Sequence, residues 1–436
     1  MTNGERQNFI KSTLAFALSS KGISVALTIA GAGAIVAAAF VGKKFYPPEE
    51  FGKLAGMITI NQMATAFSCA GYNHSLLRLI DRKSKTLEVP VHLLWQVVLG
   101  NLIASIVSAA FFTSWFLPDN FPSILFLVIS NQVAVMLSAL LRANDLYFLS
   151  QLALQLWRLT TFAVVVAASV MSFSLTPMSV ALAIGVVNIA ISTLIAIRNY
   201  HSLHFIASSQ QTSSEDQPTS VDFLTLSMGF FASMISMSLL RNFDRLVSAR
   251  VLGLADMGNL FFIGTIVCYP FFLVSGQLTF FQLPRYRRLI THKLLAHDTK
   301  VWTSLALAGA LVTILCIAVL NTTGVSEQLG APIPLKLATI YAVIGAAAVI
   351  YSNYSAAFGA VASAAKVWRA NLLTIILITI SVASISLIKP SITTIITTMA
   401  ALWLFRTAIF HWECHHCIHK PQEMDGRIST TAKSEA

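Results

Sequence analysis

Twelve stretches of this chain are apolar over roughly 18 or more residues with few charges, long enough to cross a bilayer as helices. They fall into two sets of six: 14–40, 54–77, 91–117, 124–141, 147–172 and 177–197, then 223–247, 260–281, 301–320, 334–358, 371–388 and 392–410. Few folds are open to such a chain, because backbone polar groups in hydrocarbon must be satisfied inside helices or a closed barrel. Composition agrees: 56% of residues are hydrophobic and 11% charged, against about 25% charged in soluble domains. The expected fold is an all-α polytopic membrane protein with about 12 transmembrane helices in two parallel six-helix lobes around a central cavity.

The two sets are related by a repeat. GKKFYPPEEFGKLAG from Gly42 aligns with SARVLGLADMGNLFF from Ser248 at a constant offset of 206 residues, each just after the first apolar segment of its set. Lys44 then faces Arg250, Glu50 faces Asp256, Gly52 faces Gly258 and Leu54 faces Leu260. The chain divides into an N-lobe (1–199), a polar connector (200–220) rich in Ser, Gln and acids, a C-lobe (221–412) and a polar tail (413–436). An even number of spans starts both lobes on the same side, so the repeat is parallel, with its axis along the membrane normal. Duplicated bundles of this kind usually move something across a membrane.

Lys and Arg set the orientation. Nineteen fall on one side, Arg406 among them, six on the other, and Lys21, Arg158, Arg241 and Arg245 lie inside spans. The positive-inside rule then puts both termini and the connector in the cytoplasm. The formal charge of +11 is dealt out among short loops as topology requires, so no nucleic-acid partner is expected. The first apolar run exceeds signal-peptide length and is expected to remain as a spanning helix. Cys69, Cys268 and Cys316 sit singly in apolar segments, which implies no disulfide framework. Near the C-terminus, HWECHHCIHK carries Cys414 and Cys417 but lacks the second ligand pair of a zinc site, so the expectation is a reduced juxtamembrane tail, with acylation as an alternative, and no metal.

Polar residues recur at helical spacing inside several spans: Ser20, Lys21, Ser24 and Thr28; Asn61, Thr65, Ser68 and Tyr72; Gln151, Gln155, Arg158 and Thr161; and Ser233 and Ser236 leading to Arg241, Asp244 and Arg245. Small and hydroxylated residues at such positions commonly serve helix packing. That reading fails for the charges, because a cation at span depth costs several kcal/mol unless paired or hydrated. Asp244 either neutralises Arg241 or Arg245 or belongs to a site, whereas Lys21 and Arg158 have no carboxylate within one turn of their own helices. These cations predict a net-positive cavity that receives an anionic group.

FVGKKFYPPEEFGKLAGMITINQMATAFSCAGYNHSLLR resembles the first-repeat signature of bacterial polysaccharide exporters: a helix, a Pro-Glu-Glu-Phe-Gly loop, a second helix and a closing Leu-Arg. RNFDRLVSARVLGLADMGNLFF resembles their seventh-helix signature, and LLRANDL from Leu140 their loop after the fourth helix. The resemblance is to the multidrug, oligosaccharidyl-lipid and polysaccharide exporter superfamily, in its O-antigen (Wzx-type) flippase branch. It implies translocation of an undecaprenyl-diphosphate-linked oligosaccharide to the outer leaflet of a bacterial inner membrane by alternating access, beside polysaccharide polymerase machinery. It places the diphosphate near Lys21, Arg158, Arg241 and Arg245, and the sugars near Asn61, Tyr72, Gln151 and Gln155. The first helix lacks the carboxylate used for cation coupling in parts of the drug-exporter branch, which leaves Asp244 as the candidate for proton exchange.

No G-x-x-x-x-G-K-[ST] motif occurs, so no nucleotide or other cofactor is expected and ATP is not the direct energy source. A diphosphate diester carries about two negative charges, and moving them outward across an inside-negative membrane releases roughly 4 to 5 kcal/mol per 100 mV. Rival functions are a cation-coupled multidrug antiporter of the same fold, which calls for unpaired acids in the cavity, and a lipid-linked polysaccharide polymerase, which calls for a long outer loop. The chain offers mainly buried cations and short outer loops, so it is not expected to be an enzyme.

Overall fold

The computed structural model describes residues 19–76, 87–171, 176–199, 205–208, 220–288, 290–328, 332–388 and 390–419. Among them the architecture is helical apart from one short strand pair. The helices are α1 (Ser20–Phe45), α2 (Pro48–Phe67), α3 (Tyr72–Leu76), α4 (Val91–Phe116), α5 (Phe121–Ala143), α6 (Tyr147–Val170), α7 (Pro177–Arg198), α8 (Ser220–Arg241), α9 (Phe243–Val251), α10 (Leu254–Arg288), α11 (His292–Thr322), α12 (Val325–Gln328), α13 (Leu335–Val361), α14 (Ala364–Leu387) and α15 (Ile392–His419). Eleven helices among the described residues are long and apolar enough to cross a membrane. The protein is therefore a multi-pass membrane protein.

The twelfth expected span, 54–77, departs from a single apolar helix. Its helix α2 begins at Pro48 and carries Glu49 and Glu50 in its first turn, where acids favour a helix N-terminus. It stops before Ser68, and Ala70 and Gly71 take positive φ of 43° and 77° before α3 resumes. A Cβ on Gly71 would lie 2.1 Å from the carbonyl oxygen of Ser227 on α8, so the turn is closed by backbone approach as well as by torsion. The connector differs too: Phe205–Ser208 (β2) pairs in parallel with Leu87–Pro90 (β1), Leu87 opposite Phe205. The apolar pair Phe205 and Ile206 supplies strand propensity within an otherwise polar stretch.

Packing divides the chain into two compact units, one running through Thr265 and the other from Ile266 onward. The boundary lies inside α10 rather than in the connector. The reason is visible in the first unit, where α8 packs on α2 and α3, and α9 on α4. Within that unit α1 lies along α6, and α5 packs against α4, α6 and α7. The repeated segments themselves meet here: a Cβ on Gly52 would sit 2.1 Å from the Leu254 carbonyl oxygen, and one on Gly258 would sit 3.0 Å from the Gly52 Cα. The crossing of α2 with the start of α10 is flanked by edge-on pairs of Phe51 with Phe261 (6.2 Å) and Phe40 with Phe262 (5.1 Å), each worth roughly 0.5–1.5 kcal/mol beyond area burial. Nearby, Trp115 Nε1 donates to the Leu246 carbonyl at 2.8 Å.

In the second unit α13 is the central helix, packed on α11 and α15, with α14 against α15. Its small residues allow this, since the Phe271 ring lies where a Cβ on Gly345 would stand 2.5 Å from it.

The crossing generates a test. Gly52→Ala is expected to lower stability by about 1–3 kcal/mol through overpacking, whereas Gly56→Ala, whose Cβ would meet Met257 at an ordinary 3.5 Å, leaves it nearly unchanged. Thermal melting of the two detergent-purified variants checks this, and equal melting of both would refute the close approach.

Candidate functional site

The stripe expected on α1 and the one expected on α6 face each other. Gly31 has no Cβ where one would come within 2.5 Å of Gln155 Oε1, so the Gln155 side chain lies directly against α1. A run of hydrogen bonds follows: Thr28 Oγ1 lies 3.2 Å from Gln151 Oε1, Gln155 Nε2 donates to the same oxygen at 3.3 Å, and Arg158 Nη1 donates to Gln155 Oε1 at 2.7 Å. The Arg158 guanidinium stands 5.3 Å from the centre of the Trp157 ring, a cation–π distance. The structure thus brings together Thr28, Gln151, Gln155 and Arg158 as one polar line between two spanning helices. Thr161 turns away and donates to the Trp157 carbonyl of its own helix. Lys21 belongs to α1, and its side chain lies outside the described residues.

Arg241, Asp244 and Arg245 do not share one unbroken helix. Asn242, at φ −116° and ψ 16°, separates α8 from α9. Arg245 is buried and donates from Nη1 to Gln62 Oε1 on α2 at 3.0 Å and to Asn242 Oδ1 at 2.9 Å, with its guanidinium 4.8 Å from the centre of the Phe261 ring. Two amide oxygens and an aromatic face hold this cation. Asp244 is itself buried on the first turn of α9.

Asn61 and Tyr72 lie elsewhere. Asn61 is fully buried and accepts from Asn131 Nδ2 on α5, and Asn131 Oδ1 in turn accepts from Asn188 Nδ2 on α7 at 2.9 Å. Tyr72 is buried on α3, stacked on Phe223 at 5.8 Å and packed with Leu93 and Val97. Both serve the interior of the first unit. Asn131 and Asn188 belong to no polar stripe of the sequence, yet they join α2, α5 and α7 through buried amides.

The second unit holds three polar groupings that sequence reasoning missed or misplaced. Arg406, counted among the cytoplasmic cations, lies midway along α15 and is fully buried. The apolar run only ostensibly ends at Phe410, because α15 continues to His419 and takes most of the His- and Cys-rich cluster into the helix. Cys414 and Cys417 are buried free thiols, which argues against acylation there. The rings of His411 and His415 (4.5 Å), His415 and His292 (5.5 Å), and His411 and Tyr354 (4.8 Å) pack together, and no group of three metal-ligating side chains is arranged around an ion among the described residues. Beside them Asp298 on α11 accepts from Arg285 at 3.0 Å in an ion pair. Tyr286 Oη stands 3.0 Å from Asp298 Oδ2 and 2.7 Å from Asn353 Oδ1, so its one proton serves one acceptor at a time. Burial first, and the Asp298 carboxylate second, push the Tyr286 phenol well above its ordinary pKa, so it stays protonated and able to donate.

The family described as polysaccharide biosynthesis protein matches residues 19–280. The chain belongs to this family. No curated protein sequence matches it significantly. Among solved structures, an inward-facing multidrug-resistance MATE family transporter of the MOP superfamily is 14% identical, with TM-score 0.53, over 90% of this chain and 96% of that one. A MATE transporter in complex with Br-NRF gives 13% identity and TM-score 0.47 over 91% and 93%. A MOP superfamily transporter from Pyrococcus furiosus Vc1 (DSM3638), described as having a binding pocket of reverse polarity, gives 15% and 0.46 over 91% and 88%. The fold is that of the MOP-superfamily transporters, as the motif order in the sequence led one to expect.

The amide line of the first unit can be tested by stability alone. Asn131→Leu strands the buried amides of Asn61 and Asn188, each costing about 1–3 kcal/mol when left unsatisfied. A drop in melting temperature well beyond that of an exposed Asn→Leu control is the expected outcome, and no drop would show that the amides are not coupled.

Proposed function

We propose that this member of the polysaccharide biosynthesis family is a flippase that carries a polyprenyl-diphosphate-linked oligosaccharide, of the undecaprenyl type, from the inner to the outer leaflet of a bacterial inner membrane. Its termini lie on the cytoplasmic side, and polysaccharide polymerase machinery takes up the product. The observation that carries this reading is the polar line Thr28–Gln151–Gln155–Arg158, which ends in a guanidinium within spanning helices. A guanidinium held by a neutral amide oxygen keeps its charge for a passing diphosphate, and the flanking Gln side chains offer both donors and acceptors to sugar hydroxyls. Lys21, seven residues before Thr28 on α1, is the second cation proposed for this site, and Arg241 and Arg245 supply a second cationic patch. Family membership and the MOP fold support transport as the general activity.

Energy comes from the membrane potential in this scheme. A diphosphate leaving the negative side releases roughly 4 to 5 kcal/mol per 100 mV if its charge crosses uncompensated. Buried Asp244 favours an added proton-coupled step, in which its carboxyl exchanges a proton during the cycle.

The experiment is transfer of a fluorescent undecaprenyl-diphosphate oligosaccharide between leaflets of proteoliposomes. Expected outcomes are stimulation by an inside-negative potential and a loss of at least about tenfold on Arg158→Ala, the scale of one charge-assisted hydrogen bond or more. Full transport by a correctly inserted Lys21→Ala, Arg158→Ala double variant would refute the anion role, and rates indifferent to an imposed pH gradient would remove Asp244 from the cycle.

A further inference from the structure

Arg406 sits near the middle of α15, a helix of 28 residues whose apolar span is Ile392–Ile418. Its side chain is fully buried. Its Nη2 donates to Tyr351 Oη on α13 and to Asn371 Oδ1 on α14, each at 2.8 Å. The guanidinium lies 4.8 Å from the Tyr351 ring centre and 4.9 Å from that of Phe410. Nε and Nη1 are buried with no hydrogen-bond partner. No carboxylate forms an ion pair with this arginine among the described residues, and the one acid on α15, Glu413, is two helical turns further on, roughly 10 Å of rise away.

A second observation points the same way. Trp403, one turn before Arg406 on the same helix, is fully buried, and its indole Nε1–H also lacks a partner. Trp403 packs edge-on against Tyr351 at 5.9 Å, the ring that also carries Arg406. Because residues three apart share a helix face, the indole and the guanidinium border the same side of α15. Tyr351 Oη accepts from Arg406 and has its own proton left to give. Among the described residues the cluster therefore keeps three buried N–H-bearing atoms without an acceptor, Arg406 Nε and Nη1 and Trp403 Nε1, beside the Tyr351 hydroxyl and a full positive charge. A cation so placed is costly within a membrane unless something negative meets it.

We propose that this cluster binds a small monovalent anion of halide size, resident in the second unit among α13, α14 and α15. Size follows from burial: Arg406 and Trp403 have no exposure, which favours the smallest anions over a diphosphate. Charge follows from the single guanidinium, which one negative charge neutralises. The site is separate from the polar line of the first unit and stands whether or not that line carries a lipid head group. Bound anion completes the hydrogen bonding of α15 and holds it to α13.

The test uses full-length protein in detergent, moved from sodium gluconate to sodium chloride at constant ionic strength, with thermal melting and radiolabelled chloride binding as readouts. Melting temperature is expected to rise saturably with chloride and with bromide. Trp403→Phe, which keeps an aromatic ring and removes one N–H, should raise the half-saturating chloride concentration about tenfold or more, read against its own gluconate baseline. Arg406→Gln should abolish both the melting response and the binding. Should Arg406→Gln fail to fold, the Trp403→Phe shift decides alone. Melting that is the same in chloride and gluconate, an unchanged half-saturation in Trp403→Phe, or a stronger response to pyrophosphate than to chloride would each overturn the proposal.

Discussion

A guanidinium inside a membrane protein has to find its partners within the fold, and much of this fold is arranged around that requirement. Arg245 is held by Gln62, Asn242 and the Phe261 ring, and Arg406 by Tyr351, Asn371 and Phe410. Both rest on neutral oxygens. Neutral oxygens and ring faces satisfy geometry while leaving the charge in place, where an ion pair would cancel it. Each of these arginines also joins helices distant in sequence, α2 with α9 in one unit, and α13 and α14 with α15 in the other. Positive charge and helix packing are thus maintained by the same side chains.

Close approach between helices makes such contacts reachable. Gly31 lets Gln155 lie on α1, and the glutamine in that position can relay from Gln151 to Arg158. In the second unit, small residues along α13 let the aromatic side chains of neighbouring helices fill the interior, as Phe271 does at Gly345. Van der Waals packing of this kind does in lipid what apolar burial does in water, so the small residues matter as much as the polar ones.

The all-helical class and the polar line of α1 and α6 were legible because each leaves a periodic trace: membrane-length apolar runs, and polar residues at i, i+4 and i+7. Features depending on where a helix stops were not. The stop after Phe67 rests on two left-handed residues, one of them Ala70, which sequence seldom marks. The kink at Asn242 separated residues that an ideal helix would have aligned. In sequence Arg406 reads as a cytoplasmic cation because the Cys- and His-rich stretch after Phe410 reads as a polar tail, whereas its rings and thiols pack into the second unit. Asn131 and Asn188 were invisible for a different reason: a lone amide on an apolar helix acquires meaning only when the partner amides, far away in sequence, are seen beside it.

The crossing at Gly52 and Gly258 has a meaning beyond packing. These glycines are equivalent positions of the repeat, and they touch each other. A surface that meets its own counterpart is the signature of a two-fold, self-complementary interface of the kind made by symmetric dimers. The two positions are encoded separately yet pack against one another, so bulk gained at either must be absorbed at both.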